Sequence, residues 1–466
     1  MHRFIPLFFF LILSSAPVPA FSAGSHIRLT LHRRPESTGI SRLEILRTMI
    51  HGDRRRQRMI SDKIGRRRRA CSVPPSPAIE MPVWSGAYTG TGQYFVRVRL
   101  GTPAKPFLLV TDTGSDLTWV TCRYHGGADS PAPSPDVNGG GGRRSKRVFN
   151  ADLSRSFRPI SCSSDLCRTE LPFSLSTCPT PARPCAYDYQ YAEGSSAQGI
   201  FANESATVEL LNGHRMKLKG LIIGCTSTSV GSSFISADGV LALGYGPNTF
   251  VSRATAKFGN LFSYCFVDHL SPRNATGHLT FGPNPDLFPH SPSARLILEP
   301  KLQPFYYISV TGISVAGELL PIPASVWNDS SGGGAILDSG TTLTILAEPA
   351  YKAVVSAIST QLINVPRVEI DPFQYCYNWT TAAAAATAVP GLTVHFTGSG
   401  NLTPPRKSYL IDVADGVKCI GFSSTPWPGV STIGNILQQE HIWEFDLKNQ
   451  RLRFHPSNCT EGSFYH

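Results

Sequence analysis

A chain of 466 residues is long enough for two domains with cores of their own, and 16% charged residues beside 41 Gly and 37 Pro exclude a coiled coil and a disordered polyelectrolyte. The formal net charge of +11 invites a nucleic-acid reading until it is located: residues 24–70 hold 14 Arg and Lys against 4 Asp and Glu, whereas residues 71–466 hold 28 of each. The basic excess belongs to an N-terminal arm, so nucleic-acid binding by the body is not expected.

In chain order, Met1-His2-Arg3 precedes an apolar run, Phe4–Leu13, and small residues through Ala20 and Ala23. This pattern predicts a signal peptide over residues 1–23, the apolar run being too short for a membrane span. Residues 24–80 read as a basic propeptide, with a helix from Ser41 to Arg58 and a tetra-arginine, Arg66–Arg69. Its removal is expected between Arg66 and Pro82. A plastid-targeting stretch, a nucleic-acid-binding tail and a simple solvated charge run are the alternatives for this arm.

The body reads as mostly β, because short Val/Ile/Leu/Phe/Tyr runs are bounded by Gly, Pro and Ser. Tyr94–Leu100 alternates as a half-buried strand, and Phe107–Thr111 is a second strand that delivers Asp112. Pro131–Gly142 and the basic cluster Arg143–Arg147 predict a solvated loop. Tyr187–Ser196 reads as a hairpin arm with its tip, and Ala237–Gly244 as a buried strand ending in Gly. The Pro- and Ser-rich stretch 282–295 marks a lobe boundary, giving an N-terminal lobe over 81–290 and a C-terminal lobe over 291–466. Beyond it come a strand at Phe305–Val310, a helix at Pro349–Leu362, a loop at the polyalanine Ala382–Ala386, and a second apolar-apolar-Gly at Ile433-Gly434-Asn435.

Cys71 ends the arm, and ten cysteines lie in the body: Cys122, Cys162, Cys167, Cys178, Cys185, Cys225, Cys265, Cys376, Cys419 and Cys459. An even number behind a secretory start predicts disulfides, with Cys162 and Cys167 able to close a small loop. Asn203, Asn274, Asn328, Asn378, Asn401 and Asn458 head potential glycosylation sequons.

Two turns dominate the chemistry. Asp112-Thr113-Gly114-Ser115 and Asp338-Ser339-Gly340-Thr341 each follow an apolar strand and lead back into one. Alone, either is an ordinary turn, since Asp and Thr bond locally and Gly tolerates positive φ. As a repeated strand, Asp turn and apolar-apolar-Gly, they predict two similar lobes that each offer one carboxylate. Two facing carboxylates share a proton: the charged one can activate a water, and the protonated one can support the attacked carbonyl. Gly114 and Gly340 permit close approach, Ser115 and Thr341 are expected to bond the outer carboxylate oxygens, and Thr113 and Ser339 are also expected to support the carboxylates. The 13 His show no metal-ligand spacing, and no metal or cofactor is required. No Gly-x-Ser-x-Gly elbow or phosphate-binding loop is present.

With these motifs, together with Asp238-Gly239-Val240-Leu241-Ala242-Leu243-Gly244, the chain resembles the pepsin-like aspartic proteases over roughly residues 90–460, and more closely their plant nepenthesin-like branch. The resemblance implies a bilobal β-fold with its cleft between the lobes and a hairpin flap above it. Tyr191 matches the flap tyrosine, and Trp119 the tryptophan it contacts. The implied activity is that of a monomeric, acid-acting endopeptidase of the apoplast or vacuole, made as a zymogen, that acts on peptides or proteins and binds pepstatin-type inhibitors. A catalytically weak binding or inhibitor protein on the same fold, and a plastid DNA-associated protease, are the competing expectations.

Overall fold

The computed structural model describes residues 41–64, 79–85, 92–126 and 147–460, apart from short loop segments at 172–174, 179, 192–194, 210–213, 232–233, 235, 273, 285–286, 288–290 and 399. The expected signal peptide, Cys71, Arg66–Arg69 and most of the Pro/Gly-rich loop lie outside the described residues.

The arm forms one helix, Arg42–Ile64, longer than its pattern predicts. Ser41 opens it, its Oγ accepting from Glu44 N at 3.2 Å, so a polar cap and an acidic first turn complement the helix N-terminus. Leu46, Met49, Ile50, Asp53, Arg56, Gln57 and Ile60 are buried along one face, as 3–4 spacing dictates.

Each Asp turn is built in the same way. In the first lobe, Tyr94–Leu100 runs antiparallel to Lys105–Asp112, and Gly239–Ala242 lies parallel to the latter with Ala242 opposite Asp112. The strand leaving the turn, Trp119–Arg123, pairs antiparallel with Gly239–Ala242. In the second lobe, Ala335–Leu337 lies parallel to Ser431–Ile433, which also pairs antiparallel with Thr344–Ala347. The expected repeat is therefore a repeat of hydrogen-bonding pattern, and the mostly β, two-lobed expectation is borne out.

A shared sheet backs both lobes. Leu261–Cys265 pairs with Gly277–Phe281 on one side and His441–Asp446 on the other, placing Phe262 opposite Phe445. Their rings stack at 4.5 Å, with Tyr306 edge-on to Phe445 at 4.7 Å. Ile79–Ser85 joins this sheet through Gly277–Phe281, so Ile79 and Glu80, inside the segment expected to belong to the arm, are part of a body strand. Phe262 is fully buried at this junction. Phe262→Ala is expected to cost about 3–5 kcal/mol, read from the midpoint of urea unfolding.

Five disulfides staple the body: Cys122–Cys225, Cys162–Cys178, Cys167–Cys185, Cys265–Cys459 and Cys376–Cys419. The small loop expected between Cys162 and Cys167 is not formed. A helical turn over Leu166–Glu170 follows the short spacer, and each cysteine bonds across to the segment 178–185 instead. The polyalanine run is likewise not a loop. It is a short helix, Ala382–Ala386, because Ala has the highest helix propensity and Thr381 accepts from Ala384 N at its start. No helix among the described residues is long and apolar enough to cross a membrane.

Candidate active site

The two turns meet where the lobes join, bonded reciprocally. Thr113 N donates to Ser339 Oγ at 3.0 Å, and Ser339 N donates to Thr113 Oγ1 at 2.9 Å. Each hydroxyl then donates across the lobe junction to the strand that carries the other carboxylate: Thr113 Oγ1 to Leu337 O at 3.3 Å, and Ser339 Oγ to Thr111 O at 3.1 Å. All of these groups are buried, so each needs its partner. Thr113 and Ser339 are expected from the sequence to support the carboxylates, whereas the fold uses both hydroxyls to join the lobes.

Asp112 and Asp338 are buried side chains held by their own turns. Gly114 N donates to Asp112 Oδ1 and Gly340 N to Asp338 Oδ1, each at 2.9 Å. Thr341 Oγ1 donates to Asp338 Oδ2 at 2.7 Å, as expected. Ser115 departs from expectation: its Oγ is buried but makes no hydrogen bond among the described residues. The glycines are required by proximity. A Cβ on Gly114 would lie 2.7 Å from Asp338 Oδ1, and one on Gly340 would collide with Asp112 Oδ1.

One cation bridges the pair. The Arg56 guanidinium, from the arm helix, bonds Asp112 Oδ1 through Nη2, Asp338 Oδ1 through the same nitrogen at 2.9 Å, and Asp338 Oδ2 through Nε at 2.5 Å. The planar fork of Arg suits two carboxylates better than a point charge does. Asp53, one helical turn earlier, accepts from Thr342 N at 2.9 Å and Leu343 N at 2.8 Å. Burial pushes its carboxyl up to about 7, against the opposing pull of those two N–H groups and Arg56. Gln57 donates to Val430 O and accepts from Thr432 Oγ1 at 2.6 Å.

Above the first lobe, Ala186–Gln190 and Ser196–Glu209 form the expected hairpin, with Tyr191 N donating to Ser195 O at its neck. The tip, residues 192–194, lies outside the described residues. Trp119 Nε1 donates to Tyr191 Oη, and Phe234 stands edge-on to both rings at 4.9 and 5.0 Å. The structure thus brings Trp119 and Tyr191 together. Sequence reasoning missed Phe234 and also Tyr189, whose hydroxyl donates to Asp116 Oδ1 at 2.9 Å. It also missed Asp53, Arg56 and Gln57. Their signal was present, since they continue the 3–4 spacing of Leu46, Met49 and Ile50.

Among the sequon asparagines, Asn274, Asn328, Asn401 and Asn458 are exposed, while Asn203 and Asn378 lie half-buried in strands.

Two family models match the chain, one described as xylanase inhibitor N-terminal over residues 94–283 and one as xylanase inhibitor C-terminal over residues 305–456. The chain is 31% identical over 438 residues to aspartic proteinase nepenthesin-2 of Nepenthes gracilis, covering 93% of this chain and 90% of the relative. It is 32% identical over 424 residues to aspartyl protease family protein 2 of Arabidopsis thaliana, covering 90% and 82%. Among solved structures, basic 7S globulin from soybean matches with TM-score 0.62 at 18% identity, over 83% of this chain and 99% of that one. Conglutin gamma from lupine seeds matches with TM-score 0.60 at 19% identity, over 82% and 95%. At that identity the likeness concerns the fold alone. Taken with the paired Asp turns and the two-lobed sheet, these matches show that the chain belongs to the plant nepenthesin-like branch of the pepsin-like aspartic protease family.

Proposed function

We propose that this chain is an aspartic endopeptidase made as a zymogen, with Asp112 and Asp338 as its catalytic pair. The observation that carries the reading is the convergence of both buried carboxylates on one guanidinium, which marks a single two-carboxylate site. With the arm helix gone, the space taken by the guanidinium is open to a water and a peptide carbonyl. One carboxylate takes a proton from the water as it attacks the carbonyl carbon. The other, protonated, donates to the carbonyl oxygen and supports its developing charge. Collapse of the tetrahedral intermediate expels the amine, which takes the proton that the first carboxylate removed from the water, and so restores the pair. Gly114, Gly340 and Thr341 hold the carboxylates, and the hairpin carrying Tyr191 covers the substrate. Relatives named as aspartic proteinases support this reading, as do both intact Asp-hydroxyl-Gly turns.

The arm helix across the pair supports latency, and the disulfides and exposed sequons support passage through the secretory route to apoplast or vacuole. A plastid destination is the competing localisation. The family-model descriptions favour a second reading, an inhibitor or binding protein on the same fold.

The deciding experiment is cleavage of a denatured protein at acid pH by chain freed of its arm, with and without pepstatin. Pepstatin-sensitive cleavage is the expected result. No cleavage at any pH from 3 to 7 would sink the endopeptidase reading.

A further inference from the structure

We infer that Tyr189 and Asp116 are positioning residues of the candidate site: their bond ties the hairpin to the segment leaving the Asp112 turn and fixes where Tyr191 stands relative to Asp112. Tyr187, Tyr189 and Tyr191 alternate along Ala186–Gln190 and just beyond it, so they share one face of the strand, and all three are buried. Each hydroxyl has its own partner. Tyr187 Oη bonds Thr226 Oγ1 at 2.7 Å, Tyr189 Oη donates to Asp116 Oδ1 at 2.9 Å, and Tyr191 Oη accepts from Trp119 Nε1. The two bonds nearer the hairpin tip thus reach one short stretch, Asp116–Trp119, which follows directly on the Asp112 turn.

That stretch is also gripped by the strand beside Asp112. Gly244 N donates to Ser115 O at 2.9 Å, and Ala242 N donates to Thr118 Oγ1 at 3.1 Å. Asp116, between these two holds, is half-buried and reaches the hairpin instead. The Tyr189 hydroxyl is explained by this bond. A Phe would bury the same ring, whereas a hydroxyl taken out of water needs a partner. An ionised carboxylate is a stronger partner than a neutral oxygen. Burial, and after it the Asp116 charge, push the Tyr189 phenol well above its ordinary value, so it remains a donor from acid to neutral pH. The Tyr189 ring lies 4.9 Å from that of Tyr191, and Phe234 meets the Tyr191 ring at 5.0 Å. Tyr191 is therefore set by two ring neighbours and by Trp119, and Tyr189 is set in turn by Asp116. Loss of this tie leaves the hairpin a wider range of positions, and ordering it over a substrate then costs binding free energy.

The inference rests on the endopeptidase reading for its kinetic consequence, whereas the freedom of the hairpin is measured without catalysis. On arm-free enzyme, Tyr189→Phe and Asp116→Ala are each expected to raise KM about tenfold, with kcat held within about threefold. The double variant should lose no more than either single one, because both remove the same bond. Asp116→Asn should recover most of the loss, since its amide oxygen can still accept from Tyr189. On the full chain without substrate, hydrogen exchange is read by mass spectrometry on peptides spanning the hairpin. It should be about tenfold faster in Tyr189→Phe and in Asp116→Ala, including at the Tyr191 amide that donates to Ser195 O. Multiplying losses in the double variant, no recovery in Asp116→Asn, or unchanged KM and hairpin exchange in Tyr189→Phe overturns the inference. Hairpin exchange that rises as expected on a chain that cuts nothing would instead count against the endopeptidase reading alone.

Discussion

Asp112→Asn and Asp338→Asn are each expected to lower kcat/KM for peptide cleavage by about a thousandfold or more, with thermal unfolding little changed. The geometry explains why chemistry and stability separate. In either variant the amide oxygen can still take the bond from Gly114 N or Gly340 N at the inner position. At Asp338 the outer atom becomes an amide nitrogen, and the Thr341 hydroxyl can rotate to accept from it. What an amide cannot do is take a proton from water or return one. The measurement is steady-state kinetics on arm-free enzyme beside differential scanning calorimetry. Persistent cleavage by either variant at wild-type rate would remove that residue from the mechanism.

Arg56→Ala is expected to loosen the arm by about 3–5 kcal/mol, because it leaves two buried carboxylates facing each other with no cation between them. Limited proteolysis of the arm at neutral pH reads this directly, as a protection loss of roughly a hundredfold or more. The pH dependence separates two contributions. Asp53 is pushed up to about 7 in the docked helix, above the ordinary Asp value of 3.8, so the docked state holds its proton more tightly than the free state. Its contribution to docking is therefore fully present below about pH 4 and is lost as pH rises through about 7. Asp53 therefore opposes release of the arm in acid. Asp53→Asn is expected to flatten the dependence of arm protection on pH between about 4 and 7. An unchanged slope would rule out this role.

Much of the site was legible because it is repeated in the chain. The two Asp-hydroxyl-Gly turns and their apolar-apolar-Gly partners are local patterns, and the strand pairings that realise them are short-range consequences of burial and alternation. Trp119 and Tyr191 were legible only through family resemblance, since nothing in their spacing says that a ring nitrogen and a phenol will meet. The crossed bonds of Thr113 and Ser339 were hidden for a different reason. A hydroxyl beside an Asp has a good local use, and only tertiary packing makes the distant partner better. Arg56 was masked by company: it stands in Arg54-Arg55-Arg56-Gln57-Arg58, and charge alone cannot say which guanidinium turns inward. Helical phase does, once Leu46, Met49 and Ile50 are taken as the buried face. Disulfide partners were illegible in principle, because connectivity depends on which strands approach.

The crossed hydroxyl bonds have a mechanical meaning. Each carboxylate hangs from a turn that is bonded to the opposite lobe, so the two lobes are fastened together beside the point where they would otherwise separate. Any rocking of one lobe against the other must turn about that fastening. Points far from it sweep wide arcs while the two aspartates keep nearly the same spacing. The two carboxylates sit on the pivot, so movement of the lobes does not pull the pair apart.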